Sequence, residues 1–200
     1  MSGAPEPRCT GFAVAGGHSR RMGRDKALLP WGAGTLLDHT LARLAEVAAE
    51  VVLLPGPAPR YEERGVRIAL DEGTDQGPLG GVAGGLAASA RPLGLFLGID
   101  LPRVPVALLR GLIERAAGWD AVVPVTPRGA EPLCAVYTRS CLEPIRRRLA
   151  AGERRVTAFW PDVRVRRLEA GELAAFGDPE ALFLNVNTPE DYRAAGGSRE

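Results

Sequence analysis

CTGFAVAGGHSRRMGRDKA, residues 9–27, is the stretch on which both fold and function turn. Residues 11–15 form a short uncharged apolar run bounded by turn formers, the pattern of a buried strand. That strand empties into a loop holding Gly16, Gly17, Ser19, Arg20, Arg21, Gly23, Arg24, Asp25 and Lys26. Glycine lets the backbone approach a ligand with no Cβ between them, and successive N–H groups make an anion-binding concavity that Arg and Lys close from the side. A polyphosphate suits such a place. The stretch is not a P-loop, because five residues separate Gly17 from Gly23 and Lys26 is followed by Ala27 rather than Ser or Thr. The dinucleotide fingerprint, with glycines at i, i+2 and i+5, is absent here and from the cluster at 80–85.

Working outward, Thr35 and Asp38 have capping spacing and Leu37, Leu41, Leu44 and Ala48 recur at helical period, so 35–48 reads as an amphipathic helix. Residues 51–54 and 66–70 read as the next strands, separated by the rigid PGPAP loop at 55–59. Residues 93–99 form the strongest central strand, ending in Asp100, Leu101 and Pro102. A helix at 105–116, strands at 120–125 and 132–137, a helix through Leu142, Ile145 and Leu149, and strands at 163–168 and 183–186 complete the expected order. Pro132 is expected to mark an edge or a bulge. Thr188, Pro189 and Asp191 read as a capped helix start. Alternating strands and helices give an α/β fold, a Rossmann-like three-layer domain with a mostly parallel central sheet, where ligands collect at the carboxyl ends of strands.

Length and composition set the frame. Two hundred residues, 46% hydrophobic, fit one domain spanning 1–200, with 1–8 and 195–200 expected as disordered tails. A net charge of +1 argues against a nucleic-acid binder, and the basic clusters at 146–148, 154–155 and 164–167 read as solvated faces. Cys9, Cys134 and Cys141 have neither disulfide nor zinc spacing and read as buried thiols. Without an apolar leader or a run of about 18 apolar residues, a soluble cytoplasmic protein with no membrane partner is expected.

Composition also singles out three residues. Lys26 is the only lysine among 25 basic residues, and it sits in the glycine loop, where a compact charge on a flexible stem differs from a guanidinium. Asn185 and Asn187 are the only asparagines, both within FLNVNTPEDY. Asp100 lies where a carboxylate at the mouth of a parallel sheet faces the glycine loop, a position suited to Mg2+, which takes one or two protein carboxylates and fills its shell with phosphate oxygens.

AGGHSRRMGRDKA, GPLGG at 77–81, EPLCAVY at 131–137, AGERRV at 151–156 and FLNVNTPEDY together resemble the molybdenum cofactor guanylyltransferase family of nucleotidyltransferases, over roughly residues 11–193. The resemblance implies the nucleotide-diphospho-sugar transferase type of fold and transfer of GMP from GTP to the terminal phosphate of the molybdenum-molybdopterin cofactor, giving the molybdopterin guanine dinucleotide cofactor and pyrophosphate, with Mg2+ as cofactor. The GPLGG segment at 77–81 resembles a family segment that starts a helix, which implies a helix running to about Ala90. It implies that Val14, Ala15, Gly16, Gly17, Lys26, Asp71 and Asp100 bind the nucleotide. It also gives Asp100 to the metal, and Lys26 and Arg21 to the phosphates and leaving group. Arg155, with Asn185 and Asn187, is assigned to molybdopterin; Arg154 is either a second pterin-phosphate ligand or a basic surface turn. A molybdenum-cofactor delivery or acceptor protein is a further expected partner. The amide that the family often offers near the end of its second strand is here replaced by Leu53, Leu54 and Pro55. His18 receives no role. Two other readings stay open: a related transferase using CTP or a sugar-phosphate acceptor, and a non-catalytic nucleotide-sensing module.

Overall fold

The computed structural model of the chain describes residues 9–16, 25–73 and 75–197. The quoted stretch opens with β1 (Cys9–Val14). A small antiparallel pair not expected from the sequence follows, β2 (Pro30–Trp31) and β3 (Gly34–Thr35). Thr35 then caps α1 (Leu36–Ala45) in a reciprocal capping box with Asp38. The chain continues through β4 (Glu50–Leu54), a short β5 (Arg67–Ile68), α2 (Gly77–Ala88), β6 (Leu93–Gly98) and α3 (Val106–Glu114). β7 (Ala121–Thr126), β8 (Gly129–Ala130) and β9 (Cys134–Thr138) precede α4 (Leu142–Ala150) and β10 (Val165–Leu168). Three short helices close the described chain: α5 (Ala170–Leu173), α6 (Pro179–Leu182) and α7 (Pro189–Ala194).

The main sheet has the order β10-β7-β9-β6-β1-β4-β5, with β8 paired to β7. β1 runs parallel to both neighbours, β4 and β6, while β9 is antiparallel to β6 and β7. The chain moves outward from β1 to β5 and then returns to lay β6 on the opposite side of β1. The carboxyl ends of β1 and β6 therefore flank a topological switch point, where open α/β sheets bind ligands.

Alternation along the strands divides the apolar residues between two cores. Cys9, Ala13, Leu53, Leu95 and Leu97 face a layer containing Leu37 and Leu44 of α1 and Leu108, Leu109 and Leu112 of α3. Phe12, Val52, Leu54 and Phe96 face the layer with Leu79, Val82 and Leu86 of α2 and Ile145 of α4. Phe12 stacks on Phe96 at 4.6 Å between centroids, and Phe96 meets Tyr137 edge-on at 5.6 Å.

α2 carries five glycines, and at Gly84 it lies hard against the segment that leads into Asp71. A Cβ on Gly84 would stand 2.0 Å from the carbonyl oxygen of Leu70, a backbone atom with no rotamer to yield. Gly84→Ala is expected to cost about 3 kcal/mol through overpacking, read as a lower urea midpoint with an unchanged slope.

Two expectations need correction. Pro132 marks neither an edge nor a bulge: β9 lies inside the sheet, between β6 and β7, and Pro132 precedes it in a turn closed by Cys134 N–H donating to Glu131 O at 3.0 Å. Residues 183–186 are not a strand; α6 ends at Leu182, and Val186 N–H makes a bond of 2.9 Å to Asp100 O instead of joining a ladder.

Residues 195–197 continue from α7, with Ala195 buried and its carbonyl accepting from Arg103 Nε at 3.2 Å. The three cysteines are buried free thiols; burial pushes Cys9 and Cys141 up to about 11, so both stay protonated. The basic clusters are largely paired: Arg146 with Glu72 and Glu143, Arg148 with Asp162 and Glu153, Arg164 with Asp120. No described helix is long and apolar enough to cross a membrane.

Candidate active site

β1 and β6 set the site's floor. They pair in register from Cys9 opposite Leu93 to Val14 opposite Gly98, and Ile99 N–H then donates to Val14 O at 3.1 Å. This brings Ala15 and Gly16 out beside Asp100. A Cβ on Gly98 would meet Asp100 Oδ1 at 2.4 Å, so the glycine is what lets the carboxylate fold back over the strand end. Gly16 has a similar explanation: its added Cβ would lie 3.3 Å from Gly56 N and Cα, so this is a place of close backbone approach.

Lys26 begins a 3₁₀ turn (Lys26–Leu28) that Asp25 caps by accepting from Ala27 N–H at 3.1 Å. Its Nζ reaches Asp100 Oδ2 at 3.5 Å and donates to Asn187 Oδ1 at 3.1 Å. Three segments far apart in sequence thus meet at one ammonium. Both charged side chains stay partly accessible, at 16% for Lys26 and 25% for Asp100, so a ligand can reach the pair. Asn187 is delivered by the C-terminal segment, which Val186 fastens to Asp100 O and which a capping box between Thr188 and Asp191 turns into α7.

Asp71 is tied to the Gly56 segment that abuts Gly16. Its N–H donates to Gly56 O at 3.2 Å, a Cβ on Gly81 would lie 3.3 Å from its Oδ1, and burial raises its carboxyl. The segment after it is braced by Arg146 on Glu72 and by Arg154 Nε on Asp75 O at 2.9 Å. Arg154 also donates to Leu149 O and Glu153 O, so its guanidinium is occupied in structure. Arg155 is exposed. Asn185 Nδ2 donates to Phe183 O at 3.3 Å. Gly17, His18 and Arg21, with the rest of 17–24, lie outside the described residues.

Sequence reasoning passed over Glu131, although it opens EPLCAVY. Burial first and the Asp100 charge second push its carboxyl up to about 7. The folded protein therefore holds a proton that the unfolded chain, with an ordinary Glu near 4.3, has already lost. The contribution is fully present below about pH 4.3 and is lost as pH rises through about 7. Glu131→Gln is expected to flatten that decline, read by urea unfolding of metal-free protein at pH 5 and pH 8.

The carboxyl set also answers what kind of metal would fit. Among the described residues no three His, Cys, Asp or Glu side chains cluster as a metal cage. What the site has is one accessible carboxylate, Asp100, whose negative field is strong enough to raise a neighbouring carboxyl. A hard, hydrated divalent cation that takes few protein ligands fits this; a thiolate or imidazole metal does not.

A family model described as the MobA-like NTP transferase domain matches residues 11–167, which hold the glycine loop, Lys26, Asp71 and Asp100. The chain belongs to the MobA-like NTP transferase family. A relative from Pelotomaculum thermopropionicum, named a probable molybdenum cofactor guanylyltransferase, is 36% identical over 92% of this chain and 90% of its own length. In fold, this MobA-like protein is similar to a molybdopterin-guanine dinucleotide biosynthesis protein A from Archaeoglobus fulgidus, with a TM-score of 0.77 at 23% identity over 93% of this chain and 96% of that one. It also resembles a Mycobacterium tuberculosis protein solved in complex with manganese, with a TM-score of 0.67 at 22% identity over 96% and 98% of the two chains. The MobA-like family consists of nucleotidyltransferases, and its model includes the segments that carry the Lys26 and Asp100 pair.

Proposed function

We propose that this protein is a molybdenum cofactor guanylyltransferase: a terminal phosphate oxygen of molybdopterin attacks the α-phosphorus of GTP, a new P–O bond forms, the bond to the bridging oxygen breaks, and pyrophosphate leaves. The observation that carries the reading is the approach of Lys26 to Asp100 at 3.5 Å, at the switch point of the sheet, in a chain whose relatives bear that name. On this reading the whole chain, 1–200, acts as one nucleotidyltransferase domain.

The chemistry is anion on anion. Two unit charges about 4 Å apart repel by roughly 4 kcal/mol at an effective dielectric near 20, so charge neutralisation is a large part of catalysis. No protein nucleophile is needed, since a phosphate monoester is already ionised near neutral pH. Backbone at Val14, Ala15, Gly16 and Gly17 lines the nucleotide, and Asp71 contacts it as well. Lys26 and Arg21 hold the phosphates and stabilise the departing pyrophosphate, Lys26 exchanging Asp100 and Asn187 for phosphate oxygens. Asp100 would hold Mg2+, with phosphate oxygens filling the shell; when bound, the ion neutralises phosphate charge and fixes the geometry of displacement. The manganese complex of the tuberculosis protein supports a divalent ion of this kind. Asn185, Asn187 and Arg155 receive the molybdopterin phosphate, and a delivery or acceptor protein hands the cofactor on.

Incubation of purified protein with GTP, Mg2+ and molybdopterin is expected to yield pyrophosphate and the guanine dinucleotide by mass spectrometry. Competent substrate with no product refutes the reading, and faster turnover with CTP than with GTP assigns a different base.

A further inference from the structure

We infer that Tyr61 is a positioning residue for Lys26, acting through Asp25, and that the proline-rich loop carrying Tyr61 clasps both ends of the glycine loop. This rests on the transferase reading above and extends it to a residue outside the nucleotide pocket.

Three observations converge. First, the Tyr61 hydroxyl donates to the Asp25 carboxylate, lying 3.0 and 2.9 Å from its two oxygens, and Arg60 pairs with the same carboxylate while stacking 4.7 Å above the Tyr61 ring. Asp25 also caps the turn that begins at Lys26, so its orientation fixes where the lysine stem starts. Second, Tyr61 holds a left-handed backbone, φ 64° and ψ 32°, which is costly for an aromatic residue and persists only where the surroundings impose it. Here the imposed conformation lets a buried ring send its hydroxyl to Asp25. Third, the other end of the same loop, Gly56, abuts Gly16. The segment from Gly56 to Tyr61 therefore touches the glycine loop where it leaves β1 and where it ends before Lys26. Burial and the Asp25 carboxylate raise the Tyr61 phenol, keeping it a donor throughout the physiological range.

The charge on pyrophosphate grows in the transition state, so a misaligned ammonium is felt there more than in the ground state. Tyr61→Phe is expected to lower kcat about five- to tenfold while KM for GTP moves less than twofold, a modest part of what misplacement can cost. In a Lys26→Met background the same substitution is expected to change kcat less than twofold, since nothing is left to align.

Because Lys26 is the only lysine, full-length protein labelled with 13C-lysine gives its side-chain signal without assignment. In Tyr61→Phe that signal is expected to shift or broaden, with Tm lowered by no more than about 4 °C. If Tyr61→Phe does not fold, Asp25→Asn is the second variant, with the same signal change expected. An unchanged Lys26 signal, or an equal loss of kcat in both backgrounds, overturns the positioning role. Failure of the wild type to make dinucleotide refutes the transferase reading alone, and the lysine signal still decides the structural claim.

Discussion

Asp100→Asn is expected to lower kcat at least about 10²- to 10³-fold, the scale seen when one preorganised electrostatic group at a reacting phosphate or oxyanion is removed. The substitution keeps the shape that folds back over Gly98 and leaves the backbone bond from Val186 to Asp100 O in place, so the fold has no reason to change. It removes the charge that would hold the divalent ion and that pairs with Lys26 at 3.5 Å. A neutral amide there still accepts from Lys26, but it no longer offsets the ammonium and it is a poor ligand for a hard cation. Single-turnover formation of dinucleotide, compared with calorimetric binding of GTP, separates loss of chemistry from loss of binding. Wild-type turnover by this variant would remove the metal role from Asp100. Loss of the Asp100 charge also lets Glu131 fall back towards an ordinary carboxyl, because that charge is one of the two causes raising it.

Lys26→Met is the second large effect, with kcat expected to fall about 10²-fold or more, since on the proposed reading the charge that meets the leaving group disappears. Lys26→Arg is expected to recover only part of the loss. The lysine Nζ sits between Asp100 Oδ2 and Asn187 Oδ1, at 3.5 and 3.1 Å, in a place where its side chain is only 16% exposed. A planar guanidinium with fixed donor directions cannot take over that compact position. Steady-state kinetics on the three proteins, with stability checked by urea unfolding, tests this directly. Equal activity of the Arg variant and the wild type would mean that any cation suffices.

The fold was legible where local chemistry was strong. Uncharged runs marked β1, β4 and β6, and the Thr35 and Thr188 caps marked where α1 and α7 begin, though α1 ends at Ala45, three residues short of the expected 35–48. The meeting of Lys26 with Asp100 agrees with the rule that ligands gather at strand ends: Asp100 follows β6, the parallel neighbour of β1, and Lys26 lies in the segment that follows β1. What stayed hidden depended on tertiary partners. The two-residue strands β2 and β3 are too short to give a periodic signal. FLNV at 183–186 has strand composition, yet its backbone partner is Asp100, some eighty positions earlier, and no propensity encodes that. Arg154 stands beside Arg155 in a motif, but only the fold shows its guanidinium spent on three backbone carbonyls. Tyr61 gave no signal at all, since a tyrosine after a proline-rich loop is unremarkable until its hydroxyl is seen against Asp25.

The bond from Val186 to Asp100 O and the contact of Asn187 with Lys26 also set an order of events during synthesis. Every strand of the sheet has been translated by Leu168, so the nascent chain can assemble its scaffold while the last thirty or so residues are still in the ribosome. The contact of Asn187 with Lys26 forms only when those residues emerge and dock. A product of translation stalled before Val186 thus holds every strand of the sheet but neither of these two contacts.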